Sequence, residues 1–154
     1  MIEANFDSLI HFLKDELKLE LKDVENEQAC YLLKHQETEL PVFFRLKNHL
    51  NLLQITCFLP FKIKDSALND TARLLHLLNA ELDLPGFGFD EKTKMPFYRS
   101  SFFAFDEKIE KRRLISYISS SESIVKNFFN VIIAVSQEMQ SFEDVLKNSK
   151  NKPL

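Results

Sequence analysis

Side chains capable of acid–base, nucleophilic or metal chemistry are spread along the chain without forming a recognisable motif. The four histidines fall on different predicted elements, with no paired-ligand spacing and no HExxH pattern. They are His11, His35, His49 and His76. Because an active site needs titratable groups that converge, we predict no catalytic residue and no metal site, and we interpret each histidine as a surface or rim side chain.

Cysteine and glycine patterns also give little indication of chemistry. Cys57 could pair with a distant histidine as a nucleophile, but a cysteine in an apolar strand is typical of an inert core thiol. Gly86 and Gly88 start a GxG pattern, yet an acidic pair follows at once and no third glycine arrives, which disfavours a dinucleotide loop. The sequence predicts no cofactor.

The charged clusters have ordinary explanations. The acidic pairs at 90–91 and 106–107 are predicted at a turn and at a helix start, where Asp106 would act as a cap. The basic residues Lys108, Lys111, Arg112 and Arg113 have Glu107 and Glu110 beside them, as on a solvated helix face, although such a cluster could also attract an acidic partner. Arg99 is harder to explain because it lies inside an aromatic strand. It could bond to backbone or to a carboxylate at an interface, or it could simply be exposed.

Composition narrows the class of protein. The 154 residues are 45% hydrophobic and 28% charged, which is typical of a globular domain. A net charge of −3 spread over interleaved acids and bases predicts neither a nucleic-acid nor a membrane partner. The acids near the N-terminus disfavour a signal peptide, so we expect a cytoplasmic protein. We expect a single domain at 1–142 and a polar, frayed tail at 143–154.

The first two thirds of the chain predict one helix, three strands and a second helix. Residues 3–17 carry a helical stripe of Phe6, Leu9, Ile10, Leu13 and Leu17, with Phe12 off that stripe. Residues 22–28 are predicted as an acidic turn. Short β-branched or aromatic runs at 29–36, 42–47 and 52–59 predict a three-stranded antiparallel meander. A helix capped by Asp65 or Ser66 is predicted to run to about residue 82.

The alternating pattern of the meander assigns its side chains to two faces. The predicted core set is Tyr31, Leu33, Val42, Phe44, Leu46, Leu53, Ile55, Cys57 and Leu59. Phe43, Leu52 and Phe58 lie on the opposite face and are left over once the core is assigned. They are therefore expected either to contact a binding partner or to form a second core under the last helix.

The remaining third predicts a hairpin and further helix. The 86–89 strand has its glycines on one face, which we expect to meet a helix or a neighbouring subunit closely. A fifth strand follows at about 97–105. Helix is predicted from Asp106, with a capping-box break and a fresh start at 119–122. The predicted fold is α+β, with an antiparallel sheet of about five strands in the order α-β-β-β-α-β-β-α.

This order resembles that of the class I type III secretion chaperones and the related YbjN-type proteins. The stretch 74–82 is an apolar helix that contains a Leu-Asn pair, and 86–91 is a short strand with glycines and an Asp-Glu turn, as in that group. The resemblance implies a homodimer with the second helix and the next strand near its twofold axis. The corresponding candidate interface residues are Leu74, Leu77, Gly86, Phe87, Gly88 and Arg99.

The resemblance also implies a protein client wrapped around the outside of the domain. The candidate client contacts are the leftover apolar residues Phe12, Phe43, Leu52 and Phe58. Three hypotheses follow: a chaperone for a secreted effector, a YbjN-type regulatory or stress-linked binding protein without such a client, and an unrecognised small-molecule enzyme. The first is our leading prediction.

Overall fold

Six antiparallel strands form one sheet in the computed structural model of the protein, which describes residues 1–150. The strands of the fold are β1 (Ile2–Glu3), β2 (Lys22–Glu25), β3 (Gln28–His35), β4 (Thr38–Lys47), β5 (Leu52–Phe58), β6 (Phe87–Phe89), β7 (Pro96–Phe103) and β8 (Lys108–Ile109). The main sheet has the order β2-β3-β4-β5-β7-β6, and β1 pairs with β8. The predicted α+β class and the predicted meander, which is β3 to β5, are confirmed.

Four α-helices, counted within residues 1–150, complete the fold. They are α1 (Phe6–His11), which continues as a π-helical turn (Phe12–Glu16), α2 (Leu68–Glu81), α3 (Lys111–Ser136) and α4 (Phe142–Lys150). Residues from all four helices join the sheet residues of one face in a single hydrophobic cluster. Every member of the predicted core set in the meander is buried there, so that prediction is confirmed.

The predicted acidic turn at 22–28 is wrong. Lys22–Glu25 form an edge strand that pairs with β3 across a tight turn at Asn26 and Glu27. Both turn residues have positive φ, 48° and 60°, although neither is a glycine. The usual sequence signal of such a hairpin, a glycine, is therefore missing.

The predicted break in the last long helix is also wrong, because its polar residues bond within the fold. The Ser121 hydroxyl donates to the Tyr117 carbonyl at 2.6 Å and lies 2.9 Å from the Ser100 hydroxyl on β7. Next to it, Glu122 accepts a hydrogen bond from the Tyr31 hydroxyl on β3. These contacts tie an unbroken helix to the sheet, so neither residue acts as a cap.

Two predicted caps are not observed. Asp106 and Glu107 form a positive-φ turn joining Phe105 to Lys108, and α3 begins only at Lys111. Before α2 lies a 3-10 turn (Asp65–Ala67), and no side-chain cap bond is made at its start or at the start of α2. Helix α1 does have a side-chain cap, since the Ser8 amide donates to Asn5 Oδ1 at 2.9 Å.

The C-terminal segment is ordered helix as far as the structure describes it. Phe142 is buried, and Val145 and Leu146 pack against the core. The Arg73 guanidinium lies 4.2 Å from the centre of the Phe142 ring and pairs with Glu143 at 3.1 Å. The expected frayed tail is therefore wrong for 143–150, and residues 151–154 lie outside the described residues.

Candidate binding surface on the sheet

One face of the main sheet is open to solvent. Strand register places alternate residues of β4, β5 and β7 there, side by side. We call this set the open face; it comprises Phe43, Arg45, Lys47, Leu52, Gln54, Thr56, Phe58, Phe97, Arg99, Ser101 and Phe103. Apart from the buried Thr56, these side chains are exposed or half-buried. None of its large apolar residues belongs to the hydrophobic core cluster.

Three phenylalanine rings form a cluster at one end of the open face. The Phe43 and Phe58 rings meet edge to face, with centroids 5.6 Å apart and an interplanar angle of 84°. The Phe58 and Phe97 rings are 6.0 Å apart at 63°. We call these three residues the aromatic cluster. Such half-buried rings on three adjacent strands provide a preformed apolar surface.

Two arginines border the aromatic cluster. The Arg99 guanidinium lies 4.8 Å from the centre of the Phe97 ring, and its Nε donates to Thr56 Oγ1 at 3.3 Å. Arg45 is exposed on β4 beside Gln54. Between them is a shallow depression of about 280 Å³, lined by Gln28, Phe43, Arg45, Gln54, Thr56, Phe58 and Arg99. Two phenylalanine rings and two guanidinium groups therefore line the same depression.

A second apolar patch lies at the opposite end of the open face. Leu52 on β5 pairs with Phe103 on β7, and the Phe103 side chain is 60% exposed. Phe105, just beyond the strand, is also exposed. The open face thus presents two apolar ends separated by a polar and cationic centre.

Three of the four predicted client contacts lie on the open face, but only Phe43 and Phe58 are brought together, since Leu52 lies at the opposite end. Phe43, Leu52 and Phe58 lie on the open face, and the alternative that they form a second core under the last helix is wrong, because α3 packs on the other side. Phe12 is 1% exposed and lies in the core. It follows Leu9 by three residues and so shares its helix face, which the predicted stripe overlooked.

The predicted dimer residues do not form one exposed patch. Leu74 and Phe87 are core residues, with 0% and 6% exposure. Leu77 is half-buried on α2, whereas Arg99 is exposed on the open face. Because the side chains of Leu74 and Phe87 are buried, they cannot contact a second subunit in this structure. Their proposed role at a dimer interface is therefore corrected to core packing.

Packing within the chain explains why positions 86 and 88 are glycines. A Cβ on Gly86 would lie 2.1 Å from the Arg99 carbonyl oxygen, and one on Gly88 would lie 3.0 Å from the Phe97 ring. Neither glycine has positive φ. The close approach predicted for a helix or a neighbouring subunit is therefore made by strand β7.

Phe97 and Phe103 were missed as members of the surface. A signal for both was present, because residues 97, 99, 101 and 103 alternate with the buried Tyr98, Ser100 and Phe102. Arg45 alternates with the buried Phe44 and Leu46 and was therefore assigned to the same face as Phe43, but not to the binding site. That it lines the same depression as Arg99 depends on the pairing of β5 with both β4 and β7, which has no local signal.

Within residues 1–150, no group of three or more histidine, cysteine or acidic residues is placed to hold a metal ion. Burial, with a smaller contribution from the Glu122 carboxylate, raises the pKa of the Cys57 thiol to about 12. Burial also raises the pKa of Tyr98 to about 12, and its hydroxyl donates to the Leu84 carbonyl at 2.9 Å.

The helices lack membrane-spanning character. Across residues 1–150, none combines the length and the apolar composition needed to cross a bilayer.

Comparison with known proteins identifies the family to which the chain belongs. The YbjN family model, described as "Putative bacterial sensory transduction regulator", matches residues 14–134, well over half of the chain. The chain therefore belongs to the YbjN family. No curated protein matches it significantly in sequence.

Two solved structures, at TM-scores of 0.62 and 0.51, share this fold. The crystal structure of "YbjN, a putative transcription regulator from E. coli" is 13% identical, with a TM-score of 0.62, covering 90% of this chain and 96% of that one. An uncharacterized protein from Methanothermobacter thermautotrophicus is 15% identical, with a TM-score of 0.51, covering 88% and 99%. A chain of the HopA1-SchA chaperone-effector complex is 17% identical, with a TM-score of 0.49, covering 86% and 93%.

Proposed function

We propose that this protein is a binding module that holds a segment of another protein on its open face. The observation that carries the proposal is the aromatic cluster of Phe43, Phe58 and Phe97, which packs on itself and lies outside the core. Burying half-exposed rings under a partner is favourable by about 25 cal/mol for each Å² of apolar surface removed from water. Rings at the centre of an interface commonly dominate its affinity.

The sheet edges are less suitable for a partner than the open face. Edge strand β2 has only four residues, three of them charged, and is interrupted by a register shift. The other edge, β6, has three residues. Short edge strands, and charged side chains on an edge such as β2, disfavour pairing with an added strand. We therefore infer that side chains on the face, rather than backbone bonds at an edge, bind the partner.

The description of the YbjN family model, "Putative bacterial sensory transduction regulator", supports a regulatory role for this binding. The escort of a type III secretion client, which the sequence resemblance implies, stays a prediction. So do the homodimer and the cytoplasmic location. We propose that the protein binds its partner without catalysing a reaction, on the basis of the geometry of the open face.

Site-specific photocrosslinking tests the proposal directly. A benzophenone amino acid at position 58 would react with any protein held on the open face in the source cell. The matched control places the same residue at Met139, which is 67% exposed but lies after α3, away from the open face. We expect a defined adduct from position 58 only, identified by mass spectrometry.

The Phe43→Ser/Phe97→Ser double variant provides the second arm. With the crosslinker still at position 58, the adduct should be lost, because both neighbouring rings are removed. Circular dichroism and thermal unfolding would establish that the variant is folded. Equal adducts from positions 58 and 139, or an adduct unaffected by the double variant, would contradict a binding role for the open face.

A further inference from the structure

We propose that the partner segment is acidic and amphipathic, with one or more carboxylates that bind Arg45 and Arg99 between flanking large apolar side chains. This inference rests on the proposed function and specifies the chemistry of the partner. The charged residues of the open face are mostly cations. Strands β4, β5 and β7 contribute Arg45, Lys47 and Arg99 to that face, and the acid of β4 on the same side, Glu39, lies at its margin opposite Lys34 on β3.

The two arginines have no carboxylate partner within residues 1–150. The ion pairs there join His11 to Asp15, Lys64 to Glu138, Arg73 to Glu143, Lys94 to Glu91 and Lys111 to Glu16. Two acids lie at the margin of the same face, Glu25 on edge strand β2 and Glu39 at the start of β4, and neither pairs with either arginine. A protein of net charge −3 thus keeps its two open-face guanidinium groups unpaired.

Arg99 is held in a geometry that suits a carboxylate. Its contacts with the Phe97 ring and with Thr56 Oγ1 use the ring-facing side of the guanidinium and the Nε–H group. The terminal N–H groups remain for a ligand, and a planar guanidinium can bind both oxygens of a carboxylate. Because the side chain is already restrained, less conformational entropy is lost on binding.

A second copy of the same face is a poor occupant. Twofold packing of the open face on itself would bring the cations of both copies together without a central carboxylate to neutralise them. Like charges facing each other across an interface cost several kcal/mol. The occupant therefore differs from this face, and any dimer of the chain would use another surface.

Single-stranded nucleic acid also fits this face less well, although it contains rings and arginines. Bases stack on the flat face of an aromatic ring. Here Phe43, Phe58 and Phe97 pack edge to face on one another, and the Arg99 guanidinium covers a face of Phe97. The exposed cations are few, and the sequence pI is about 5.8. A peptide with carboxylates and apolar side chains matches both features of the surface.

A random peptide library displayed on phage tests the proposal, because such a selection requires no identified partner. Selection uses the full chain as bait, and enriched peptides are synthesised with a fluorescent label for titration. We expect enrichment of Asp or Glu together with Phe, Leu or Met. The Arg45→Glu/Arg99→Glu variant should weaken binding at least tenfold, which corresponds to about 1.4 kcal/mol. Raising the salt concentration should also weaken binding.

The matched control is Arg112→Glu/Lys147→Glu, which reverses two exposed charges on α3 and α4 and should change affinity less than about threefold. Three results would each overturn the proposal. The enriched peptides could lack acidic residues, the library could yield no binder, or the Arg45→Glu/Arg99→Glu variant could bind as tightly as the wild type. Tighter binding of a labelled oligouridine than of any peptide would also overturn it. A dimer of the wild type that dissociates in Arg45→Glu/Arg99→Glu would instead assign the face to a second copy.

The two proposals can fail separately. Photocrosslinking at position 58 that survives charge reversal but is lost in Phe43→Ser/Phe97→Ser would retain the binding surface and reject an acidic partner. A crosslink at position 58 that persists in both double variants would reject both proposals.

Discussion

The Asn79 side chain at the end of α2 binds the backbone of Phe87 in both directions. Its Oδ1 accepts from the Phe87 amide at 2.9 Å and its Nδ2 donates to the Phe87 carbonyl at 2.9 Å. The same oxygen accepts from the Gly86 amide at 3.0 Å. One amide side chain thus satisfies three backbone groups where the chain turns from the helix into β6, and so fixes where that strand begins.

Replacing Asn79 by alanine should destabilise the protein by about 2–4 kcal/mol. The reason is that three half-buried backbone groups would lose their partner, and an unsatisfied buried polar group costs about 1–3 kcal/mol. Urea unfolding followed by circular dichroism measures the change. Asn127→Ala, at an exposed position of α3, is the control and should stay within about 0.5 kcal/mol. Equal stability of the two variants would show that the bonds contribute little.

The two glycines should differ sharply in their tolerance of a methyl group. Gly86→Ala would place a Cβ 2.1 Å from a backbone oxygen that cannot move alone, so we expect a loss of about 3 kcal/mol in unfolding free energy. Gly88→Ala meets the end of the Phe97 side chain at 3.0 Å, which can rotate away, and should cost within about 1 kcal/mol. Urea denaturation of both variants compares them directly, and a smaller loss at 86 than at 88 would contradict this account.

The motif that carried the sequence resemblance proves to be structural. Asn79 anchors β6, Gly86 allows the approach of β7, and Asp90 closes the turn that follows. Such residues have strict local requirements, so the sequence can reveal the family and the fold. The contacts described for them are all within the chain, so the same motif says little about a partner.

The open face could be predicted only in part. Alternation within β5 placed Leu52 and Phe58 correctly, because a strand exposes every second residue whatever its neighbours are. The neighbours themselves depend on β7 inserting between β5 and β6, a long-range pairing with no local signal. The predictions for Phe12 and for the capping-box pattern at 119–122 were wrong for a related reason. Tertiary contacts decide which side of a helix is buried and whether a serine caps a helix.

Asp90 should make stability depend on acid pH. Hydrogen bonds from Thr93, through its amide at 2.7 Å and its hydroxyl at 3.0 Å, hold the pKa of Asp90 below its ordinary value of 3.8. Because a depressed folded pKa stabilises the ionised form, this contribution is present above about pH 4 and is lost as pH falls through the folded pKa.

The test compares wild type with Asp90→Asn, which resembles the protonated carboxyl group. Wild type should be more stable above about pH 4, and the difference between the urea midpoints should shrink towards pH 2. Asp83→Asn, at an exposed position, provides the control for a general change in charge. A difference between wild type and Asp90→Asn that is constant from pH 2 to pH 7 would refute the assignment.

Helix α4 should contribute substantially to stability although most of its residues are polar. Phe142 is buried, its amide donates to Asp70 Oδ2 at 3.0 Å, and its ring faces the Arg73 guanidinium. Removing a buried phenylalanine ring costs about 3–5 kcal/mol, so Phe142→Ala should lower the unfolding free energy by about 3 kcal/mol. Lys147→Ala, on the exposed side of the same helix, should change it by less than about 0.5 kcal/mol. Both values come from urea unfolding, and a Phe142→Ala protein as stable as the Lys147 variant would mean that α4 is not docked in solution.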